Sequence, residues 1–142
     1  MAHMMTKIFA DTAGRGHLLD SAQPYHTQAT TFYRSARQQG RRLVTTNYVI
    51  AELAALLHSP LRIPRPMIVN LITNLKTSLW IDVLHVSSEM DDQAWQLFSQ
   101  RLDKNWSLVD CSSFIVMRQH GIQEALTTDH HFEQAGFSCL LK

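Results

Sequence analysis

The sequence predicts a single α/β domain of three layers, in which a mostly parallel central sheet of four to five strands is flanked by helices. Short apolar runs alternate along the chain with stretches whose apolar residues recur at helical spacing, an order typical of parallel sheets. The 142 residues match the usual length of one domain. No repeat, linker or biased segment divides the chain, so residues 5–142 are expected to form one unit, while residues 1–4 (Met-Ala-His-Met) resemble a cloning remnant.

The N-terminal half contains two predicted strands and three predicted helices. Lys7–Ala10 is a short apolar run that ends at an acid and predicts the first strand. Pro24–Gly40 follows as a helix, because proline suits a first helical turn and glycine a helix end. Arg42–Thr45 predicts the second strand, and Asn47–His58 a helix capped by its asparagine. After an interruption by prolines, Met67–Ser78 returns to helical spacing.

The C-terminal half continues the alternation of strands and helices. Trp80–Val86 reads as a buried strand, and Ser88–Leu102 as a helix with a serine cap and two aspartates in its first turn. Asp110–His120 is a predicted helix that ends before a glycine. The remaining strand, short helix and strand are Glu124–Thr128, Asp129–Ala135 and Phe137–Leu141.

The composition limits the classes of function. Charged residues make up 18% of the chain, below the average of about 25%, which excludes a disordered charged tail and a coiled coil. The net charge of +1 argues against strong binding of nucleic acid by bulk charge. However, residues 1–71 carry +5 and residues 72–142 carry −4, which leaves room for a basic surface beside an acidic site. No apolar stretch is long enough to span a membrane, and two cysteines without paired spacing favour a reducing cytoplasm.

Four acidic residues occupy positions that suit a shared site. Asp11 and Asp129 each directly follow a predicted strand, at the sheet edge where ligands of parallel sheets bind. Asp110 opens a predicted helix. Glu52 is the one charge in the apolar run Tyr48–Leu57, which predicts a helix buried on all sides. A buried carboxylate is costly unless it is paired or coordinated, so Glu52 is expected to have a partner.

Each acid also has a purely structural interpretation. Asp110 and Asp129 are good helix N-caps, Asp11 suits a turn, and Glu52 can emerge at the end of a tilted helix. A divalent-metal site accounts for all four together. Mg²⁺ prefers oxygen ligands, and a bound cation relieves the repulsion between clustered carboxylates and activates water.

The chain resembles the PIN-domain family, and in particular its VapC-type toxin ribonucleases, over nearly its whole length from Lys7, and four segments carry the resemblance. They are Ile8–Thr12 (IFADT), Thr45–Leu57 (TTNYVIAELAALL), Ser107–Ile122 (SLVDCSSFIVMRQHGI) and Glu124–Phe137 (EALTTDHHFEQAGF). The last two segments, in this order and spacing, are the most specific part of the resemblance.

The resemblance implies a PIN-like fold and a set of site residues. The family's catalytic and metal-binding acids would fall on Asp11, Glu52, Asp110 and Asp129. It also implies Mg²⁺ or Mn²⁺ as cofactor, RNA as substrate, a cognate antitoxin as partner and, as in many members, a homodimer. Ala13 departs from the family, which often has Ser or Asn at that position, and Thr12 and Ser112 are alternative sources of the missing hydroxyl.

Four basic residues lie near the acids in sequence. Arg15 follows the first strand and Arg118 shares a predicted helix with Asp110, so both are candidate RNA contacts. His130 and His131 come directly after the last acid of the quartet. A metal role for these two is weighed against the start of a surface helix, which the sequence favours.

The main hypothesis is a Mg²⁺-dependent endoribonuclease that acts as the toxin of a type II toxin–antitoxin pair. One alternative is a catalytically weak PIN-like module that binds RNA or protein and acts through a partner. A second alternative is a phosphatase or phosphoacceptor domain, although residues 11–13 lack the second acid of an Asp-x-Asp motif.

Overall fold

A computed structural model describes residues 7–12 and 26–141 of the protein. Among these residues, no helix combines the length and the apolar character that crossing a bilayer requires.

Five strands form one sheet, and every neighbouring pair is parallel. The strands along the chain are β1 (Ile8–Ala10), β2 (Leu43–Thr46), β3 (Ile81–Leu84), β4 (Glu124–Leu126) and β5 (Ser138–Cys139). Their order across the sheet is β3-β2-β1-β4-β5, so β1 is central. The predicted α/β class with a mostly parallel sheet is confirmed, although each strand is shorter than or offset from the predicted run.

Six helices alternate with these strands in the described ranges. They are α1 (His26–Gln38), α2 (Asn47–His58), α3 (Arg65–Thr77), α4 (Ser88–Gln100), α5 (Leu108–Gln119) and α6 (His131–Gln134). The first three contribute buried side chains to one hydrophobic cluster, and α4, α5 and α6 contribute to another, which also includes Val49 of α2. This division gives the predicted three layers.

The residues of the central strands alternate between the two hydrophobic clusters. Ile8 and Ala10 of β1 belong to the cluster with α1, α2 and α3, whereas Phe9 belongs to the other. Leu43 and Val44 of β2 divide in the same way. Successive side chains of a strand point to opposite faces, so a continuous apolar run is the expected sequence of a strand covered by helices on both sides.

The strand order places a crevice beside β1. From β1 the chain adds β2 and β3 on one side, and then returns to add β4 and β5 on the other. At such a switch point the connections leave the sheet in opposite directions, and the carboxyl ends of the two strands border a ligand-binding crevice. Asp11 follows β1 and Asp129 lies three residues beyond the end of β4, so both lie at this edge.

Two expectations for α2 are wrong in detail. The hydroxyl of Thr46, not the side chain of Asn47, caps the helix by accepting a backbone N–H of the first turn at 3.1 Å. The Asn47 amide oxygen instead accepts the backbone N–H of Val86 at 2.8 Å. The helix is not buried on all sides either, because Ala51 and Ala55 are exposed. Alanine is apolar but small, so its exposure costs little.

The N-cap of α4 and the start of α5 also lie earlier than predicted. Ser87, rather than Ser88, caps α4. Ser107 caps α5, so Asp110 does not open that helix but lies at its third position, N3. This position forms a capping box, in which the side chains of residues Ncap and N3 each bond the other's backbone N–H.

Candidate metal centre

Asp11 is a buried carboxylate that the end of β1 carries into the crevice. Its side chain is 7% exposed, and its Oδ2 accepts a hydrogen bond from the Thr127 hydroxyl at 2.8 Å. The same hydroxyl accepts the backbone N–H of Asp129 at 2.9 Å. Through these two hydrogen bonds the fully buried Thr127 links the end of β1 to the loop after β4.

Asp110 is held by the local structure of α5. Its Oδ2 accepts the backbone N–H of Ser107 at 3.0 Å, and its own backbone N–H donates to the Ser107 hydroxyl at 2.9 Å. These reciprocal bonds satisfy two helix-terminal donors and fix the carboxylate at the helix N-terminus, where negative charge is stabilised.

Asp129 and His131 complete a compact group with Asp110. The Asp129 Oδ1 accepts the backbone N–H of His131 at 2.9 Å. The His131 Nδ1 lies 3.1 Å from the Asp110 Oδ2 and 3.2 Å from the Asp129 Oδ1. One ligand atom from each of the three residues lies within 4.8 Å of the other two. This group therefore has the spacing of a metal site.

Glu52 lies beside the crevice but outside this compact group. It is half-buried on α2, and its Oε1 accepts a hydrogen bond from the hydroxyl of Thr12. Thr12 directly follows Asp11, so the interaction brings the Glu52 carboxylate towards the end of β1. The expected partner of Glu52 is thus a neutral hydroxyl, and within the described ranges neither Glu52 nor Asp11 belongs to the three-residue group.

The donor set suits a divalent cation. In the described part of the chain, no Lys or Arg pairs with Asp110 or Asp129, and the basic group beside both carboxylates is His131. Carboxylates held this close repel one another unless a cation neutralises them. Oxygen donors of this kind are the ligands that Mg²⁺ and Mn²⁺ accept.

The two cysteines near the acids are buried thiols with raised pKa values. Burial raises the pKa of Cys111 to about 11, and the charge of Asp110 adds to the shift. Burial likewise raises the pKa of Cys139 to about 11, with Glu133, Asp11 and Asp129 also raising it. Both thiols are therefore expected to stay protonated near neutral pH, which argues against a thiolate nucleophile at this site.

Comparison with known proteins identifies the family and the fold. The sequence pattern of the PIN domain matches residues 11–138, which is most of the chain. The chain belongs to the PIN-domain family. The predicted resemblance is thus confirmed, and the acids described above lie in the matched range.

One protein of Mycobacterium tuberculosis resembles this PIN domain both in sequence and in structure. The 23S rRNA-specific endonuclease VapC20 of strain H37Rv is 30% identical over 130 residues, which cover 92% of this chain and 95% of VapC20. The crystal structure of VapC20, described as a Sarcin-Ricin loop cleaving toxin, superposes with a TM-score of 0.81 at 29% identity, and the match covers 92% of this chain and 95% of that one. The predicted class, a VapC-type PIN nuclease, is confirmed.

A more distant structure shares the fold of this PIN domain. FitAcB from Neisseria gonorrhoeae matches with a TM-score of 0.65 at 18% identity, covering 93% of this chain and 95% of that chain. At this identity the likeness supports the fold alone.

The two RNA contacts expected of the PIN domain, Arg15 and Arg118, stay predictions. Arg15 lies outside the described residues, as does Ala13. Arg118 is exposed on α5, eight residues beyond Asp110. At a rise of about 1.5 Å per residue the two are about 12 Å apart along the helix axis, so Arg118 does not contact the acidic group.

The sequence does not predict the positions of two residues of this site, Thr127 and His131. Thr127 carries no charge and gave no signal beyond its position two residues before Asp129. The sequence favours a surface position for His131 at the start of a helix; the residue does begin α6, but its ring turns inwards to the acids. Its neighbour His130 is exposed, which is the outcome that the sequence favoured. Ser112 supplies no hydroxyl to the acids, because its Oγ donates to the Val109 carbonyl at 2.7 Å.

Proposed function

We propose that this PIN domain is an endoribonuclease that depends on Mg²⁺ or Mn²⁺ and acts as the toxin of a type II toxin–antitoxin pair. The observation that carries the proposal is the group of Asp110, Asp129 and His131 at the switch point, with Asp11 tied to it through Thr127. A cation bound there would activate a water molecule and neutralise charge that develops on a phosphodiester.

Each proposed site residue has a distinct task. Asp110 and Asp129 hold the cation most directly, because their carboxylates belong to the compact group. Asp11 adds a buried negative charge at the end of β1 and orients the loop after β4 through the Thr127 hydroxyl. Glu52 supplies a fourth carboxylate from α2, and the Thr12 hydroxyl holds it towards Asp11.

The geometry favours catalysis without rearrangement of these side chains. The capping box fixes Asp110, and a backbone N–H fixes Asp129, before any ligand is bound. Such pre-organisation lowers the cost of assembling the charged site. A single-stranded or looped RNA is the form of substrate that we expect, because its bases are unpaired and its backbone is free to bend into a crevice at the edge of the sheet.

The proposed target and partners follow from the relatives. VapC20 is named for 23S rRNA and for the sarcin–ricin loop. We extend this to the present chain as the first substrate to test. A cognate antitoxin that silences the enzyme, a homodimer and a cytoplasmic location complete the proposal, and they rest on the VapC type of the chain.

The test is cleavage of a stem–loop RNA that carries the sarcin–ricin sequence, with a scrambled loop beside it. The variants Asp110→Asn and Asp129→Asn should lower the cleavage rate at least roughly hundredfold, because loss of even an outer partner of a metal site costs about 10–100-fold in affinity or activity. The amide that Asp110→Asn introduces still offers an oxygen to the Ser107 N–H, so the helix cap survives.

Glu89→Gln is the matched control, since Glu89 is an exposed acid in the first turn of α4. It should leave cleavage unchanged. Cleavage that persists in excess chelator or in both aspartate variants would refute the nuclease mechanism. Intact RNA with metal-loaded wild-type protein would favour the alternative of a binding module that acts through a partner.

A further inference from the structure

The imidazole of His131 lies among the acids rather than on the surface. Its side chain is 20% exposed, and its Nδ1 faces two carboxylate oxygens that belong to residues 21 and 2 positions away. A ring N–H can form a nearly linear hydrogen bond with only one acceptor at a time. A single hydrogen bond therefore does not explain why Nδ1 lies close to both oxygens.

The distances from Nδ1 to the two carboxylate oxygens match those between neighbouring ligands of a coordination octahedron. Ligand atoms about 2.1 Å from a cation and at right angles to one another lie about 3.0 Å apart. The Nδ1 of His131 is 3.1 Å from Oδ2 of Asp110 and 3.2 Å from Oδ1 of Asp129. The nitrogen therefore lies at the distance of a neighbouring ligand from each carboxylate.

The backbone holds the ring in this place. The N–H of His131 donates to the same Asp129 oxygen that its ring approaches, which closes a short turn at the start of α6. The adjacent residue, His130, has the same side chain but is exposed, with its ring centroid 4.8 Å from that of His131. The two histidines thus form a natural pair of test and control.

We propose that His131 is a nitrogen ligand of the cation, and that it makes the site prefer a first-row transition ion such as Mn²⁺ to Mg²⁺. The proposal rests on the proposed function, because it assumes that Asp110 and Asp129 hold a divalent cation. Mg²⁺ selects oxygen ligands and gives up water reluctantly, whereas transition ions accept imidazole readily. One nitrogen ligand among carboxylates therefore increases the difference in affinity between Mn²⁺ and Mg²⁺, which is small for a site of carboxylates alone.

The first test is pulsed electron paramagnetic resonance of the wild-type protein loaded with Mn²⁺. A directly bound imidazole gives a nitrogen modulation that a hydrogen-bonded ring does not. We expect this modulation in the wild type and in His130→Asn, and its loss in His131→Asn. The asparagine places an oxygen near the position of Nδ1, so the site keeps its size while the nitrogen is lost.

The second test is calorimetric titration of the same three proteins with Mn²⁺ and with Mg²⁺. The ratio of the two affinities should fall roughly tenfold or more in His131→Asn, by weakening of Mn²⁺ binding, and should stay at the wild-type value in His130→Asn. Neither readout depends on RNA cleavage.

The outcomes separate this proposal from the proposed function. Mn²⁺ that binds to the wild type without nitrogen modulation refutes the role of His131 and leaves the carboxylate site standing. Failure of both ions to bind refutes the proposed function and this inference together. If His131→Asn does not fold, the wild-type spectrum alone decides the question.

Discussion

Removing the Thr127 hydroxyl should weaken the fold more than the loss of one ordinary hydrogen bond. Thr127→Val keeps the shape of the side chain and removes the oxygen that donates to Asp11 at 2.8 Å and accepts from the Asp129 N–H at 2.9 Å. A hydrogen bond to a charged group contributes about 1.5–3 kcal/mol, and a buried donor left without an acceptor costs about 1–3 kcal/mol.

The Asp129 N–H is only partly buried and recovers part of its loss from water, so we expect a decrease of about 2–4 kcal/mol in the free energy of unfolding. Urea denaturation measures this directly, and the transition midpoint should fall by about 1–2 M. The denaturation is measured in the presence of a chelator, so that a bound cation does not contribute to the free energy of unfolding.

Thr45→Val is the matched control for this prediction. Its hydroxyl is equally buried and donates a single bond, at 2.9 Å, to the backbone carbonyl of Ala10. We expect a loss of only about 1 kcal/mol, because both partners are neutral. A decrease below about 0.5 kcal/mol for Thr127→Val, or one no larger than that of the control, would refute the view that this hydroxyl ties Asp11 to the loop after β4.

Three further predictions concern other buried or charged groups. Ser113 has a buried hydroxyl without a hydrogen-bond partner among the described residues, so Ser113→Ala should leave stability unchanged or raise it by about 1 kcal/mol in urea denaturation, and a clear loss would show a missed partner. Cys111 and Cys139, with pKa values near 11, should react with an aromatic disulfide reagent at pH 8 only after unfolding; rapid native labelling would contradict their burial. The hydrogen bond from Arg42 lowers the pKa of Asp82 in the folded protein. The stability that this ion pair contributes is therefore fully present above the unfolded pKa of about 3.9 and is lost as the pH falls below that value towards the folded pKa. Asp82→Asn should flatten the acid limb of the plot of unfolding free energy against pH, and an unchanged plot would contradict the pairing.

The strand pattern and the position of the acids were predictable because both follow from local rules. A strand that is covered by helices on both faces must be apolar throughout, and Ile8–Ala10 meets this condition. The carboxyl ends of parallel strands share one edge of a sheet, so Asp11 and Asp129 had to approach the same crevice once β1 and β4 became neighbours.

The helix starts were less predictable, because neighbouring residues offered the same capping chemistry. Thr46 and Asn47 both carry a suitable oxygen, and the choice was decided by a distant donor, the N–H of Val86. Ser87 and Ser88 are chemically identical, so no propensity separates them.

The inward position of His131 could not be predicted from spacing alone. Its contact with Asp110 joins residues 21 positions apart, and it exists only because α5 and the start of α6 meet at the crevice. A histidine two residues after an aspartate is equally typical of an exposed turn. Metal ligation stays a prediction for the four acids Asp11, Glu52, Asp110 and Asp129. The fold brings these residues towards one crevice, but ligation is a property of the metal-loaded site.

The most direct test of the central claim is anomalous diffraction from crystals of the protein soaked in Mn²⁺. The account predicts one strong anomalous peak between the carboxylates of Asp110 and Asp129, within bonding distance of both. Full occupancy of Mn²⁺ elsewhere on the molecule, with no peak between these two side chains, would contradict it.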